Sequence, residues 1–234
     1  MTLISEDIHV TEDMRKSLKL PEGYSYFITP SEDPKKRFYH VSLSSDRTAY
    51  DGIEMAKKIA RSEPAVNEII LPHVGGPATF CYTLGNIGKK YLGRKLDSYP
   101  ISTDAYGDEK SPGIVVVSDL TEIAEILRGK RPGYKDRKQE VRNNIAIGDD
   151  IFDRGLTDEA IRNKLSPLLT DIENLTIKSF CIYQKDGASL VGRGPDLVTT
   201  VFPNKIVFDG EIYTCWVDFP WDNPKYEEFL EKRV

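Results

Sequence analysis

Hydrophobic and polar positions along the chain follow two periods that take turns. Arg37-Phe-Tyr-His-Val-Ser-Leu43 alternates in steps of two, as a strand with one buried face does. Asp46 to Arg61 then sets Tyr50, Ile53, Met55, Ala56, Ile59 and Ala60 on a helical repeat. The same reading predicts strands at 67–73, 95–101 and 114–117, and helices over 78–91 and 119–127. Ile145 and Ile147 lead a further strand into two acids, and Ala160, Ile161 and Leu165 mark a helix from Asp158 to Leu165. Thr176 to Tyr183 reads as a strong strand, followed by a β-rich tail. Strands alternating with helices predict an α/β fold with a mostly parallel central sheet flanked by helices. Residues 1–37, punctuated by Pro21, Gly23, Pro30 and Pro34, are expected to be a peripheral extension. Residues 38–180 would form the core, and 181–234 its last strand edge and a small hood to which the N-terminal stretch also contributes.

The chemistry concentrates where the two periods meet, at Ile145-Ala-Ile-Gly-Asp149-Asp150-Ile151-Phe152-Asp153-Arg154-Gly155-Leu156-Thr157. Gly155 permits backbone angles that turn consecutive N–H groups into one concavity, and Thr157 stands where it would cap the helix or offer its hydroxyl to a ligand. The free N–H groups and dipole of a helix N-terminus form a phosphate site. Asp149 and Asp150 would repel that phosphate unless they hold a divalent cation or sugar hydroxyls. A sugar phosphate satisfies both halves. Val74-Gly75-Gly76-Pro77, also between a strand and a helix, has the same grammar of an anion loop.

The run from Asp149 to Thr157 resembles the phosphoribosyl pyrophosphate (PRPP) signature of the type I phosphoribosyltransferases, where a hydrophobic strand enters an acidic pair and then an Asp-Thr-Gly-x-Thr turn. Arg154 stands where a Thr is usual. A strand ending in Lys185, then Pro195-Asp-Leu-Val198, then Trp216-Val-Asp-Phe-Pro-Trp-Asp222 follow in the order of the 6-oxopurine branch, which acts on hypoxanthine, guanine and xanthine. The resemblance spans roughly residues 38 to 224.

It implies transfer of phosphoribose from PRPP to a purine base, releasing pyrophosphate and a nucleoside monophosphate, with Mg²⁺ as cofactor and a homo-oligomer as the assembly. By the same resemblance Asp149 and Asp150 hold ribose hydroxyls or the metal, and Asp153 is the base or hydrogen-bond partner at the purine N7. Arg154, Gly155, Leu156 and Thr157 grip the 5′-phosphate, and Val74, Gly75 and Gly76 form the pyrophosphate loop. Lys185 would donate to the purine O6, Trp216 stack on the ring, and Val217 and Asp222 present backbone groups to its edge. Ile206-Val207, after Pro-Asn-Lys, rivals Trp216 for the stacking position. The polar segment from Ser102 to Gly113 would be a closing flap, with Ser102, Tyr106 and Lys110 as the groups to test. Arg154, Val74 and the long link over 129–144 keep a second reading open, a non-catalytic PRPP or nucleotide sensor on the same fold. A transferase for another base is a third.

Composition narrows the partners. The 234 residues carry a net charge of −5, with 39% hydrophobic and 29% charged positions, and show no basic stripe interleaved with aromatics, which excludes a nucleic-acid reader. Cys81, Cys181 and Cys215 are too far apart for a zinc cluster or a disulfide framework. No basic-then-apolar leader and no run of about 18 apolar residues are seen, so no membrane partner and a cytoplasmic location are expected.

Overall fold

A computed structural model of the chain describes residues 7–66, 68–72, 97–106, 113–129 and 143–220. The predicted fold class is the one observed: a parallel sheet with helices, joined here by a second sheet. The central sheet contains β4 (Glu68–Pro72), β5 (Asp97–Ile101), β8 (Asn144–Phe152), β9 (Thr176–Asp186) and β10 (Leu197–Pro203). Its order is β10-β9-β8-β4-β5 and every pairing is parallel. The chain therefore steps outward from β4 to β5, returns to lay β8 against β4, and continues outward the other way. That reversal opens a crevice at the carboxyl ends of β4 and β8, where open sheets of this kind take their ligands.

The central strands β8 and β9 are buried on both faces, as interior parallel strands require. Ile145 and Ile147 of β8 face one apolar cluster, which holds Ile70, Ile101, the Ile123, Ala124 and Leu127 of α3 (Thr121–Leu127) and the Ile161 and Leu165 of α4 (Leu156–Leu165). Ala146 points the other way, into a cluster with Met55, Ala56 and Ile59 of α2 (Ser45–Ala60) and Phe180, Ile182 and Tyr183 of β9. α2 begins where Ser44 accepts the N–H of Arg47, a side-chain cap that satisfies an otherwise orphaned donor.

The second sheet joins the two ends of the chain. β1 (Ile8–His9), β2 (Ser25–Thr29) and β3 (Phe38–Ser42) run antiparallel in sequence; β12 (Glu211–Asp218) then lies parallel to β3, and β11 (Lys205–Phe208) closes the far edge. Its inner face, Tyr26, Ile28, Tyr39, Val41, Tyr213, Cys215 and Val217, packs into the cluster shared with α2. Residues 8–9 and 25–29 thus supply strands of this second sheet. Asp51 of α2, fully buried, ties this sheet to the core: its Oδ2 accepts the Tyr24 and Tyr183 hydroxyls at 2.8 and 2.9 Å. The second oxygen, Oδ1, lies 2.9 Å from Arg47 Nη2 as an ion pair, outside hydrogen-bond geometry.

A two-stranded antiparallel ribbon of β6 (Thr103–Tyr106) and β7 (Gly113–Val116) forms the arms of the segment expected to be a flap. Among the described residues no helix is long and apolar enough to cross a membrane.

Candidate functional site

The site is built at the end of β8. The strand runs through the acidic pair and stops at Phe152, so Asp149 and Asp150 belong to the sheet, with Asp149 opposite Cys181 of β9 in register. Each acid turns an oxygen to the next main-chain amide: Asp150 N–H donates to Asp149 Oδ1 at 3.0 Å and Ile151 N–H to Asp150 Oδ1 at 2.7 Å. Burial, with the Asp150 carboxylate beside it, pushes the Asp149 carboxyl well above the usual carboxylate range. Two adjacent oxygen donors that repel one another are relieved by a hard divalent cation or by sugar hydroxyls. Mg²⁺ is ordinarily held by one or two carboxylates together with ligand phosphates, so this pair fits it. Among the described residues no group of three or more His, Cys, Asp or Glu side chains gathers around a metal position.

Past Phe152 the chain bends through Asp153 and Arg154 and enters α4. Of the two places open to Thr157, cap or hydroxyl turned to a ligand, the cap is not taken: the N-cap is Gly155, at φ 78°, Thr157 lies inside the first turn, and no side chain caps the helix. The physical reason is room. A Cβ at Gly155 would come within 2.6 Å of the Phe152 ring and 2.7 Å of a Val191 methyl, and L side chains rarely take that φ. With no side chain capping it, the helix end keeps its donors for a ligand. Leu156 and Thr157 are half-buried in that first turn, and Arg154 is exposed.

Three distant segments converge beside this loop. Lys185 Nζ on β9 is 3.2 Å from Asp153 Oδ2, and the same ammonium is 6.0 Å from the centre of the Trp216 ring on β12. Trp216 is 51% exposed on the outer face of the second sheet, where Phe38 packs against it edge-on at 5.7 Å; of the rival pair, Ile206 is buried in the core and Val207 is 64% exposed. Val217 turns its side chain inward. Cys215 N–H donates to Asn204, whereas Asp218 C=O accepts from Leu43 on the β3 side. By alternation, Val217 directs its backbone to the Asn204 edge, beyond the point where β11 begins pairing at Lys205.

Val74, Gly75, Gly76, Lys110 and Asp222 lie outside the described residues, as does Cys81; of Tyr106 only the backbone is described. Ser102 is exposed between β5 and β6, and its N–H and C=O are tied to Ser118 and Val117. Cys181 and Cys215 are buried free thiols; burial pushes Cys215 up to about 11, and Cys181 upward too.

Sequence reasoning missed a buried ion-pair network behind the loop. Asp158, 5% exposed, accepts Ser179 Oγ–H at 2.6 Å and Arg162 Nε–H at 3.0 Å, and pairs with Arg193. The Asp158-to-Arg162 spacing of one helical turn was visible in the sequence; the partnership with Arg193 was not.

The chain matches no protein-family model, and no curated protein matches it in sequence. Among solved structures it resembles a protein of Neisseria gonorrhoeae solved with bound ppGpp, at TM-score 0.53 and 18% identity over 82% of this chain and 94% of that one. Purine phosphoribosyltransferases recur among its structural neighbours. The chain shares its fold with that Neisseria protein. The xanthine-guanine-hypoxanthine phosphoribosyltransferase of Helicobacter pylori is similar at TM-score 0.47 and 16% identity, covering 82% of this chain and 99% of that one. The hypoxanthine phosphoribosyltransferase of Trypanosoma cruzi, solved with IMP, is similar at TM-score 0.45 and 15% identity over 72% and 89%. At 18% identity the likeness to the Neisseria protein is one of fold, and the chain takes its functional reading from its own residues.

Proposed function

We propose that the chain is a phosphoribosyltransferase that moves phosphoribose from PRPP to a 6-oxopurine base, releasing pyrophosphate and a nucleoside monophosphate. The observation that carries this reading is the Asp153–Lys185 pair, 3.2 Å apart beside an exposed Trp216 and just ahead of a helix N-terminus without a side-chain cap. A 6-oxopurine presents N7–H and O6 side by side on one edge. A carboxylate beside an ammonium matches them, the carboxylate accepting from N7 and the ammonium donating to O6. A 6-amino purine turns a donor toward the ammonium and is disfavoured, because two donors then face each other with no acceptor between them. Trp216 covers the ring face, and Val217 offers backbone groups to its rim.

Loss of pyrophosphate spreads positive charge over the ribose, so the protein must position the reactants and stabilise charge more than supply a nucleophile. The amides from Arg154 to Thr157 hold the 5′-phosphate, and Asp149 and Asp150 hold the ribose hydroxyls or the cation. Mg²⁺, when bound there, supplies neutralisation of the pyrophosphate charge. Asp153 accepts the proton that the purine gives up as its N9 attacks.

Purified protein given Mg²⁺ and PRPP should convert at least one of hypoxanthine, guanine and xanthine; turnover of none would end the enzyme assignment. A second reading is favoured by the ppGpp bound in the Neisseria neighbour and by Arg154 in place of a threonine: a regulator that binds a purine nucleotide without turning it over. Calorimetry with GMP and ppGpp beside the turnover assay separates the two, since tight binding with no product selects the regulator.

A further inference from the structure

The segment 187–196, which joins β9 to β10, doubles back onto the loop 153–157. Leu190 N–H donates to Arg154 C=O at 2.9 Å, the Val191 methyl fills the space a side chain at Gly155 would need, and Ser189 Oγ–H closes the turn on Arg193 C=O at 2.6 Å. From that turn Arg193 reaches the buried Asp158 in the first turn of α4. Charge accounting behind the loop then depends on it. Asp158 and Asp196 are acids; Asp196 takes the Ser179 N–H at 2.6 Å and lies 3.9 Å from Arg162. Arg162 is the remaining cation in contact with both, and it is further committed to Ile177 C=O at 2.7 Å and to Ser179. With Arg193 the four groups are neutral. Without it two carboxylates outnumber one guanidinium directly behind an anion site.

We propose that Arg193 is a positioning residue for the phosphate loop. It cancels the second acid behind the α4 N-terminus and holds 187–196 against the loop's backbone, and so sets the affinity for a dianionic phosphate monoester. The ion pair favours the helix and the ligand together: Asp158 stabilises the helix dipole, and Arg193 keeps that acid from repelling the phosphate. The inference rests on the reading of 153–157 as a phosphate site, and the experiment tells the two apart.

Calorimetry with ribose 5-phosphate is run on the wild-type chain, Arg193→Ala, Arg193→Lys and the double variant Arg193→Ala/Asp158→Asn, beside PRPP and base kinetics. Arg193→Ala should weaken ribose 5-phosphate about tenfold and raise the KM for PRPP about as much, with kcat and the KM for the base little changed. Arg193→Lys, which keeps the charge, should stay within about threefold of wild type. The double variant should bind ribose 5-phosphate more tightly than the single, because removing the acid removes the need for its partner; a purely structural role would make the double variant worse. Wild-type affinity in Arg193→Ala, or equal losses for PRPP and base, overturns the role given to Arg193 and leaves the phosphate loop standing. Failure of the wild-type chain to bind ribose 5-phosphate at all overturns both.

Discussion

Asp149 and Asp153 stand four positions apart, and their surroundings ask different things of them. Asp149 is held beside Asp150 inside the sheet, with its carboxyl raised by burial and by that neighbour. A carboxyl raised in the fold and ordinary in the unfolded chain adds stability below the unfolded carboxylate range, and that stability is lost as pH rises through the folded value. Asp149→Asn should therefore raise stability at neutral pH by about 1 kcal/mol, about 2–4 °C in Tm for a chain of this size. The gain should vanish in acid, where the wild-type carboxyl is protonated in both states, while PRPP binding is lost throughout; thermal scans across pH with and without ligand check all three. Asp153 faces Lys185 with its side chain partly open to solvent. Asp153→Asn should cut turnover by about 10²–10⁴ and spare GMP binding, and an active variant would contradict its assigned role. Trp216→Ala removes the ring over the proposed base site and should raise the base KM about tenfold, with PRPP unaffected.

At the scale of the element, α4 shows how a loop motif can be read in outline and left open in detail. The acidic pair, the glycine and the helix after them were all legible in residue order. The cap was not, because Thr157 and Gly155 are equally plausible N-caps until the packing of Phe152 and Val191 shows which position has no room for a side chain. Gly155→Ala should cost about 2–4 kcal/mol, from the left-handed φ together with the two overlaps, and should weaken monophosphate binding more than base binding. Denaturant unfolding and calorimetry read the two effects separately. Arg193 was invisible for a different reason. Its partner lies on another element, and no periodicity connects a turn residue to a helix that precedes it by a whole strand.

Across the whole molecule, what brings the site together is strand order. Alternating periods show that strands and helices take turns, but they leave open that β8 lies beside β4, so that the acidic pair ends at the crevice. They place residues 1–37 at the periphery beside the C-terminal tail, and the structure gives the pairing that joins them: β1 and β2 extend through β3 to β12 and β11. Asp51 is the joint between these parts, taking the hydroxyls of Tyr24 from the N-terminal stretch and Tyr183 from β9. Asp51→Ala should cost about 3 kcal/mol, since it leaves the buried Tyr183 hydroxyl and much of Arg47 without their acceptor. Base affinity should fall with it, because Lys185 lies two residues beyond Tyr183 on the same strand; urea unfolding and base kinetics check this. The sequence by itself determined the fold class, the acidic strand end, the glycine turn and the helix behind it, since each depends on neighbours within one or two turns of chain. Only the tertiary structure decided which residue caps that helix, which arginine stands behind it, and that Lys185 meets Asp153 beside Trp216. Those are contacts between residues far apart in the chain, and their pairing is set by packing and charge in three dimensions.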